Sequence, residues 1–436
     1  MRTWLLTVEL IDSPVRTTVG LLVLGLMMAV LIRGRRPVRH LIGALVGAAA
    51  LAVGVLSAQS ANAFSGELPA GTAPWVLVTG ALLGVGVIAV VTGGWWRRVA
   101  AAGLVVTSAL SLGLAVNALY GVTHTPAAIF GIDVGPAAEL PPVGAADQRP
   151  TIAEWTPPAD LPAQGRTGVL RGDERIVPSH AYAPRDASVY LPPAALVKDA
   201  PALPVIVMMM GQPGSPDVTP IAAAADAYAA THQGLAPIIV VVDQLAGSAD
   251  NDPVCTDSAT YGAVATYINV DVPAYIRAHF TVLPDASAWT IAGYSNGGAC
   301  AFAFGAQHPD IWGTIGDVSG NEYPGSENPQ SAVARAWAGD EAAYRASLPS
   351  SVLAAAKPGT YTDRHAIFTH GDQDTVFGPG QVKNAALAQQ AGFRVSTLTI
   401  PGEGHVRGAL TKGLDYLIAT VGTDAGFDAH ATTPGS

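Results

Sequence analysis

Four apolar runs fill the first third of this chain, at residues 14–32, 41–60, 73–92 and 99–116. A hydrocarbon core of ~30 Å takes about 20 residues of helix, within a range of about 17–25. The second, third and fourth runs meet that length outright, and the first meets it with Arg16 snorkelling to the interface. Helices on a soluble protein show a polar stripe. These runs are apolar all round and rich in Gly and Ala, the composition of helices packed in a bilayer. The pattern predicts an α-helical membrane bundle of about four transmembrane helices over residues 1–119. Mid-run positions carry no Asp, Glu, Lys, Arg or His. Such charges mark ion and proton pathways, so the bundle reads as an anchor and platform ahead of a transporter.

Orientation follows from the basic residues. Arg33, Arg35, Arg36 and Arg39 lie between the first and second runs, and Arg97 and Arg98 between the third and fourth. The loop between the second and third has no Lys or Arg, and Glu67 is its one charged residue. The positive-inside rule puts both Arg loops in the cytoplasm and everything after the fourth run on the extracytoplasmic face. Trp75, Trp95 and Trp96 sit at run ends, where aromatic belts form. Arg2 and Arg16 pull the other way. No short charged segment precedes a single apolar stretch, so a cleavable signal peptide is not expected.

The net charge of -10 conceals two halves. Residues 1–131 hold 8 Lys+Arg against 3 Asp+Glu, a balance of +5, and residues 132–436 hold 15 against 30, a balance of -15. A nucleic-acid partner calls for a basic face, and none is expected here. Between the halves, residues 120–164 lose periodicity and collect prolines, which reads as an extended linker.

From residue 165 to 420, short β-rich runs alternate with helical stretches. Candidate strands are 188–191, 204–209, 237–242, 289–292, 314–318, 366–369 and 394–400; candidate helices are 222–230, 266–279, 297–307, 332–346 and 380–391. Runs that are apolar throughout, such as 238–242, suit strands covered on both faces. The alternation predicts a doubly wound, mostly parallel α/β sheet, with chemistry just beyond the carboxyl ends of its strands. Residues 421–436 read as a flexible tail.

The sharpest signal is Gly293-Tyr294-Ser295-Asn296-Gly297-Gly298, between a strand-like run and an Ala-rich helical stretch. G-x-S-x-G in that setting is a nucleophile elbow, with a helix-capping Gly/Ser turn as the plain alternative. A serine nucleophile needs a base and an acid to hold the base. The chain order nucleophile, acid, histidine selects His405, in Gly402-Glu403-Gly404-His405, as base. For the acid, Asp374 leads Asp372 because it sits deeper in the turn after its strand, and Asp317 is a third choice. The oxyanion donors should be the backbone N–H of Asn296 and one from Gly211-Gln212-Pro213-Gly214. Pro213 has no N–H, so Gly211 or Gln212 must donate, and Gln212 is preferred.

At these residues the chain resembles a known family. Tyr190-Leu191-Pro192-Pro193, Gly211–Pro216, the Ser295 motif and His405 are similar to the α/β-hydrolase-fold esterases grouped with esterase D and the mycolyltransferases. The resemblance covers residues 165–420, and only the serine motif is individually specific. It implies an α/β-hydrolase fold and transfer or hydrolysis of acyl groups through a serine acyl-enzyme, with no cofactor or metal. Met210 departs from it, standing where many relatives have His.

Cys255 and Cys300 are the only cysteines. In an outward-facing domain a disulfide between them is expected, with two buried thiols as the alternative. They and the scattered histidines show no zinc-type spacing. Asp250, Asp252 and Asp257 read as a solvated acidic loop ahead of a calcium site. The expected protein is a membrane-anchored extracytoplasmic serine esterase of the cell envelope acting on carboxylic esters. Its ester substrate could be an envelope lipid or glycolipid; an acyltransferase moving an acyl group to an envelope sugar or alcohol is the first alternative, and a non-catalytic envelope binding or assembly module the second.

Overall fold

A computed structural model describes residues 3–32, 37–61, 68–69, 71–121, 123–129, 132, 134–142 and 149–432. The chain forms two compact units, Met1–Ile132 and Asp133–Ser436.

Four long helices make up most of the first unit: α1 (Val15–Ile32), α2 (Pro37–Ser60), α3 (Thr72–Thr92) and α4 (Trp95–Tyr120). Each is long and apolar enough to cross a membrane. Pro37 and Pro74 fall in first turns, where a missing N–H costs nothing. α2 and α3 touch backbone to backbone: a Cβ at Gly47 would overlap the Gly80 carbonyl, and one at Gly84 the Gly43 carbonyl. Close approach of this kind supplies the packing that apolar surroundings cannot drive. Val23, Val30, Val85, Ala89, Ala101 and Leu104 form the inner seam. Leu21, Leu45, Leu56, Val91 and Val106 point outward, the inverse of a water-soluble bundle. Arg97 donates from Nε to the Val30 carbonyl (2.9 Å) and meets the His40 ring. Arg33, Arg35, Arg36 and Glu67, which entered the orientation argument, lie outside the described residues.

The second unit is built on an eight-stranded sheet. Its strands are β1 (Arg166–Leu170), β2 (Ala187–Leu191), β3 (Val205–Met209), β4 (Ile238–Val242), β5 (Trp289–Tyr294), β6 (Thr314–Val318), β7 (His365–Gly371) and β8 (Arg394–Ile400). They are ordered β1-β2-β4-β3-β5-β6-β7-β8. β2 pairs antiparallel with β1 and β4, and every other pairing is parallel. This is the expected doubly wound, mostly parallel sheet of the α/β-hydrolase fold.

Both faces are covered. On one, α5 (Thr219–Thr231) and α12 (Arg407–Asp424) bury Ile221, Ala225, Leu414 and Ile418 against Ile206, Met208 and Val241. On the other, α7 (Asn296–Gln307) packs Phe302 and Phe304 with Val205, Val207 and Ile291, flanked by α6 (Val272–His279). Further helices include α8 (Pro329–Ala336), α9 (Glu341–Ser347), α10 (Pro349–Ala355) and α11 (Gly378–Ala391).

Four readings need correction. The single helix expected at 332–346 is broken, because Ala338 and Gly339 turn with positive φ (51° and 87°) and Pro349 starts a new helix. The one at 266–279 contains a π-helical segment, Tyr267–Asp271, before α6 opens. The stretch 120–164 is not connector throughout. Trp155 is buried and donates its indole N–H to the Gln233 carbonyl (3.0 Å), and Ala138 N–H pairs with the Val169 carbonyl (2.9 Å). An extended, proline-rich backbone packs where a large side chain anchors it. Residues 421–430 are likewise no tail: α12 runs to Asp424, Phe427 is fully buried, and His430 Nε2 donates to the Ile152 carbonyl (2.7 Å). Residues 433–436 lie outside the described residues.

Candidate active site

β5 is buried end to end and turns straight into α7, with Ser295 at the turn. Ser295 has φ 56° and ψ -121°, a backbone state that costs a side-chain-bearing residue of order 1–3 kcal/mol. Its surroundings enforce it. The Ser295 N–H donates to the Val318 carbonyl (3.0 Å), and its carbonyl accepts from Gly298 and Ala299 (2.9 and 3.2 Å). Two glycines are required by close approach: a Cβ at Gly293 would overlap the Gly297 carbonyl, and one at Gly297 the Met209 carbonyl.

His405, on the loop after β8, lies with Nε2 3.0 Å from Ser295 Oγ and Nδ1 3.1 Å from Asp374 Oδ2. With Nδ1–H donating to the carboxylate, Nε2 is left to accept the serine proton. Tyr294 stacks on the imidazole with centroids 5.2 Å apart, and Phe377 packs at 4.6 Å. Asp374, in the turn after β7, accepts through Oδ1 from the Val376 and Phe377 N–H groups (3.2 and 2.9 Å). Burial alone would push its carboxyl up, but the hydrogen bond and charge of His405 and these two amides hold it below the ordinary value. The carboxylate is therefore ionised wherever His405 must be steadied.

The other two acids have separate duties. Asp372 accepts from the Gly402 N–H (2.8 Å) and so shapes the turn before His405. Asp317 is fully buried on β6 and accepts from the Gly320 N–H (3.0 Å). Burial pushes its carboxyl up to about 7 against the hydrogen bonds of Gln381 and Gly320. The alternative acid Asp372 is thus set aside: Asp374 is the carboxylate against His405.

Asn296 opens α7, where a first-turn N–H has no intrahelical acceptor and the helix end favours negative charge. Facing it is the loop after β3. A Cβ at Gly211 would sit 3.2 Å from Ser295 Cβ, so the chain at Gly211 passes close to Ser295. The Gln212 side chain donates to the Asp250 carbonyl (3.0 Å). Cys255 and Cys300 form a disulfide with Cα atoms 5.3 Å apart, tying the loop after β4 to α7.

That loop holds what the sequence reading missed. Asp252 is not fully solvated: it is half-buried, and burial pushes its carboxyl up against hydrogen bonds from Val254 N–H and Asn296. Burial also pushes Glu327 up to about 7, opposed by Asn321 and reinforced by the charge of Asp252. Asp243 is buried in a bidentate pair with Arg185, whose Nη2 and Nε lie 2.6 and 3.1 Å from its two oxygens. Asp243-Gln244 follows a strand that is apolar throughout, the place where such sheets present polar groups to ligands.

A serine on a strained elbow, a histidine within hydrogen-bond distance of it and of a buried carboxylate, and a helix N-terminus are the features of a serine hydrolase on an α/β-hydrolase scaffold. Comparison with known proteins agrees with that class. Residues 182–407, just over half of the chain, match the model of the Esterase family, described as "Putative esterase". The chain belongs to this family of α/β-hydrolase-fold serine esterases. An uncharacterized protein of Corynebacterium glutamicum is 36% identical over 246 residues, which are 53% of this chain and 57% of that protein. The match therefore spans little more than half of that relative. An S-formylglutathione hydrolase from Agrobacterium tumefaciens superposes with a TM-score of 0.48 at 16% identity, over 61% of this chain and 98% of that one. A ferulic acid esterase gives 0.47 at 15%, over 60% and 99%.

Proposed function

We propose that this chain is a membrane-anchored serine esterase that cleaves carboxylic esters through an acyl-enzyme on Ser295. The observation that carries the reading is the continuous relay Ser295 Oγ–His405 Nε2 (3.0 Å) and His405 Nδ1–Asp374 Oδ2 (3.1 Å). His405 takes the hydroxyl proton as Ser295 attacks the ester carbonyl, while Asp374 holds the ring and stabilises the imidazolium. The Asn296 and Gln212 N–H groups receive the charge that develops on the carbonyl oxygen. His405 then protonates the leaving alcohol, and water, activated by the same ring, releases the acid. The four apolar helices support anchoring, and the basic residues flanking them support an extracytoplasmic active site.

A fluorophosphonate probe tests the reading. The full chain in detergent should be labelled once, on Ser295, and Ser295→Ala should lose the label. Failure of the folded protein to label, or labelling undiminished in Ser295→Ala, contradicts it.

A further inference from the structure

The side chain of Asn296, next to the nucleophile, has no part in the relay, yet it is buried and held at both ends. Its Oδ1 accepts from Gln244 Nε2 (3.3 Å), and its Nδ2 donates to Asp252 Oδ1 (3.2 Å). Gln244, itself buried, donates from the same Nε2 to the Met210 carbonyl (2.5 Å). Met210 immediately precedes Gly211-Gln212. A peptide unit is planar, so fixing the Met210 carbonyl fixes the Gly211 N–H on its far side and the entry of the loop. The Gln212 side chain, in turn, is tied to the Asp250 carbonyl (3.0 Å). One loop, residues 243–255, thus grips both chain segments that supply oxyanion donors. The Cys255–Cys300 disulfide holds the far end of the loop to α7.

We infer that Gln244 and Asp252 are positioning residues, which set the spacing between the Asn296 N–H and the Gly211-Gln212 loop through the Asn296 side chain and the Met210 carbonyl. The inference rests on the serine-esterase reading above. Donors of this kind act only if aimed at the oxygen of the transition state, and losing one such donor outright costs about 10²–10³ in kcat. A donor left in place but released from its clamp loses part of that. The role assigned to Asp252 is that of a hydrogen-bond acceptor, not a charge. An amide carbonyl at the same position can accept from Asn296 Nδ2 equally well.

The experiment uses the full chain in detergent, p-nitrophenyl acetate as substrate, and fluorophosphonate titration to count competent sites. Per labelled site, Gln244→Leu and Asp252→Ala should each lower kcat by about 10–100-fold with KM changed by less than about twofold, the signature of an interaction made in the transition state. Asp252→Asn should recover most of that loss. Because both residues hold one amide, the double variant should lose less than the product of the single losses. If Asp252→Ala does not fold, Gln244→Leu and Asn296→Leu carry the same test. Wild-type kcat per labelled site in Gln244→Leu and Asp252→Ala overturns the inference, as does a loss in Asp252→Asn equal to that in Asp252→Ala. A wild-type chain that does not label overturns the underlying reading instead, so the two failures are distinct.

Discussion

At the scale of single residues, three carboxylates of the α/β unit are kept apart by their surroundings. Asp374 is buried but over-supplied with donors, so it stays ionised and orients His405. Asp374→Asn keeps the shape and loses the correct imidazole tautomer, and kcat should fall by about 10⁴-fold. Asp372→Asn, at the carboxylate that accepts from the Gly402 N–H, should fall by less than about tenfold under the same ester assay. Asp317 is the opposite case. Its folded-state pKa of about 7 stands above the ordinary carboxylate value, so between pH 4 and 7 the native chain binds a proton that the unfolded chain has lost. The stability it contributes is full below that window and is lost as pH rises through it. Asp317→Asn should therefore shrink the drop in thermal midpoint between pH 5 and pH 8; an unchanged drop would assign that slope elsewhere. Arg185 makes a different prediction. Arg185→Ala strands the Asp243 carboxylate without its partner, and denaturant unfolding should show a loss of about 3–5 kcal/mol.

At the scale of elements, contact between backbones decides how closely two helices can lie. Gly84→Leu in α3 would drive a side chain into the Gly43 carbonyl, so the full chain should lose thermal stability in detergent. Gly54→Leu, where a Cβ meets nothing within 4 Å, should not; equal losses would mean that helix contact is not the cause. The same scale explains what could be read from the chain. The four apolar helices and the strands β2 to β8 carry patterns local enough to see, and the elbow, Asp374 and His405 follow from strand ends and chain order. β1 could not be found that way. Its sequence Arg-Thr-Gly-Val-Leu is exposed at its first two residues, and its strand form rests on pairing with β2 and on the bridge from residues 136–138. Trp155 and Phe427 were misplaced for a related reason, since each is fixed by contacts far along the chain. The Gln244–Asn296–Asp252 network also joins residues 44 and 52 positions apart, beyond the reach of any local motif.

At the scale of the molecule, the two units divide the charge as they divide the work. The bundle has an excess of basic residues (+5) and the α/β unit an excess of acidic ones (-15), so the net acidity belongs to a domain surface and says little about substrate charge. On the proposed orientation, protease added to intact cells should digest the α/β unit; protection of it would reverse the orientation without touching the chemistry. That chemistry stands on one covalent event at Ser295. The most direct measurement is mass spectrometry of the full chain, quenched in acid during turnover of p-nitrophenyl acetate. The account predicts one added acetyl group on the peptide that contains Ser295, absent in Ser295→Ala. Turnover with no acylated peptide, or with the acetyl group on another residue, would contradict it.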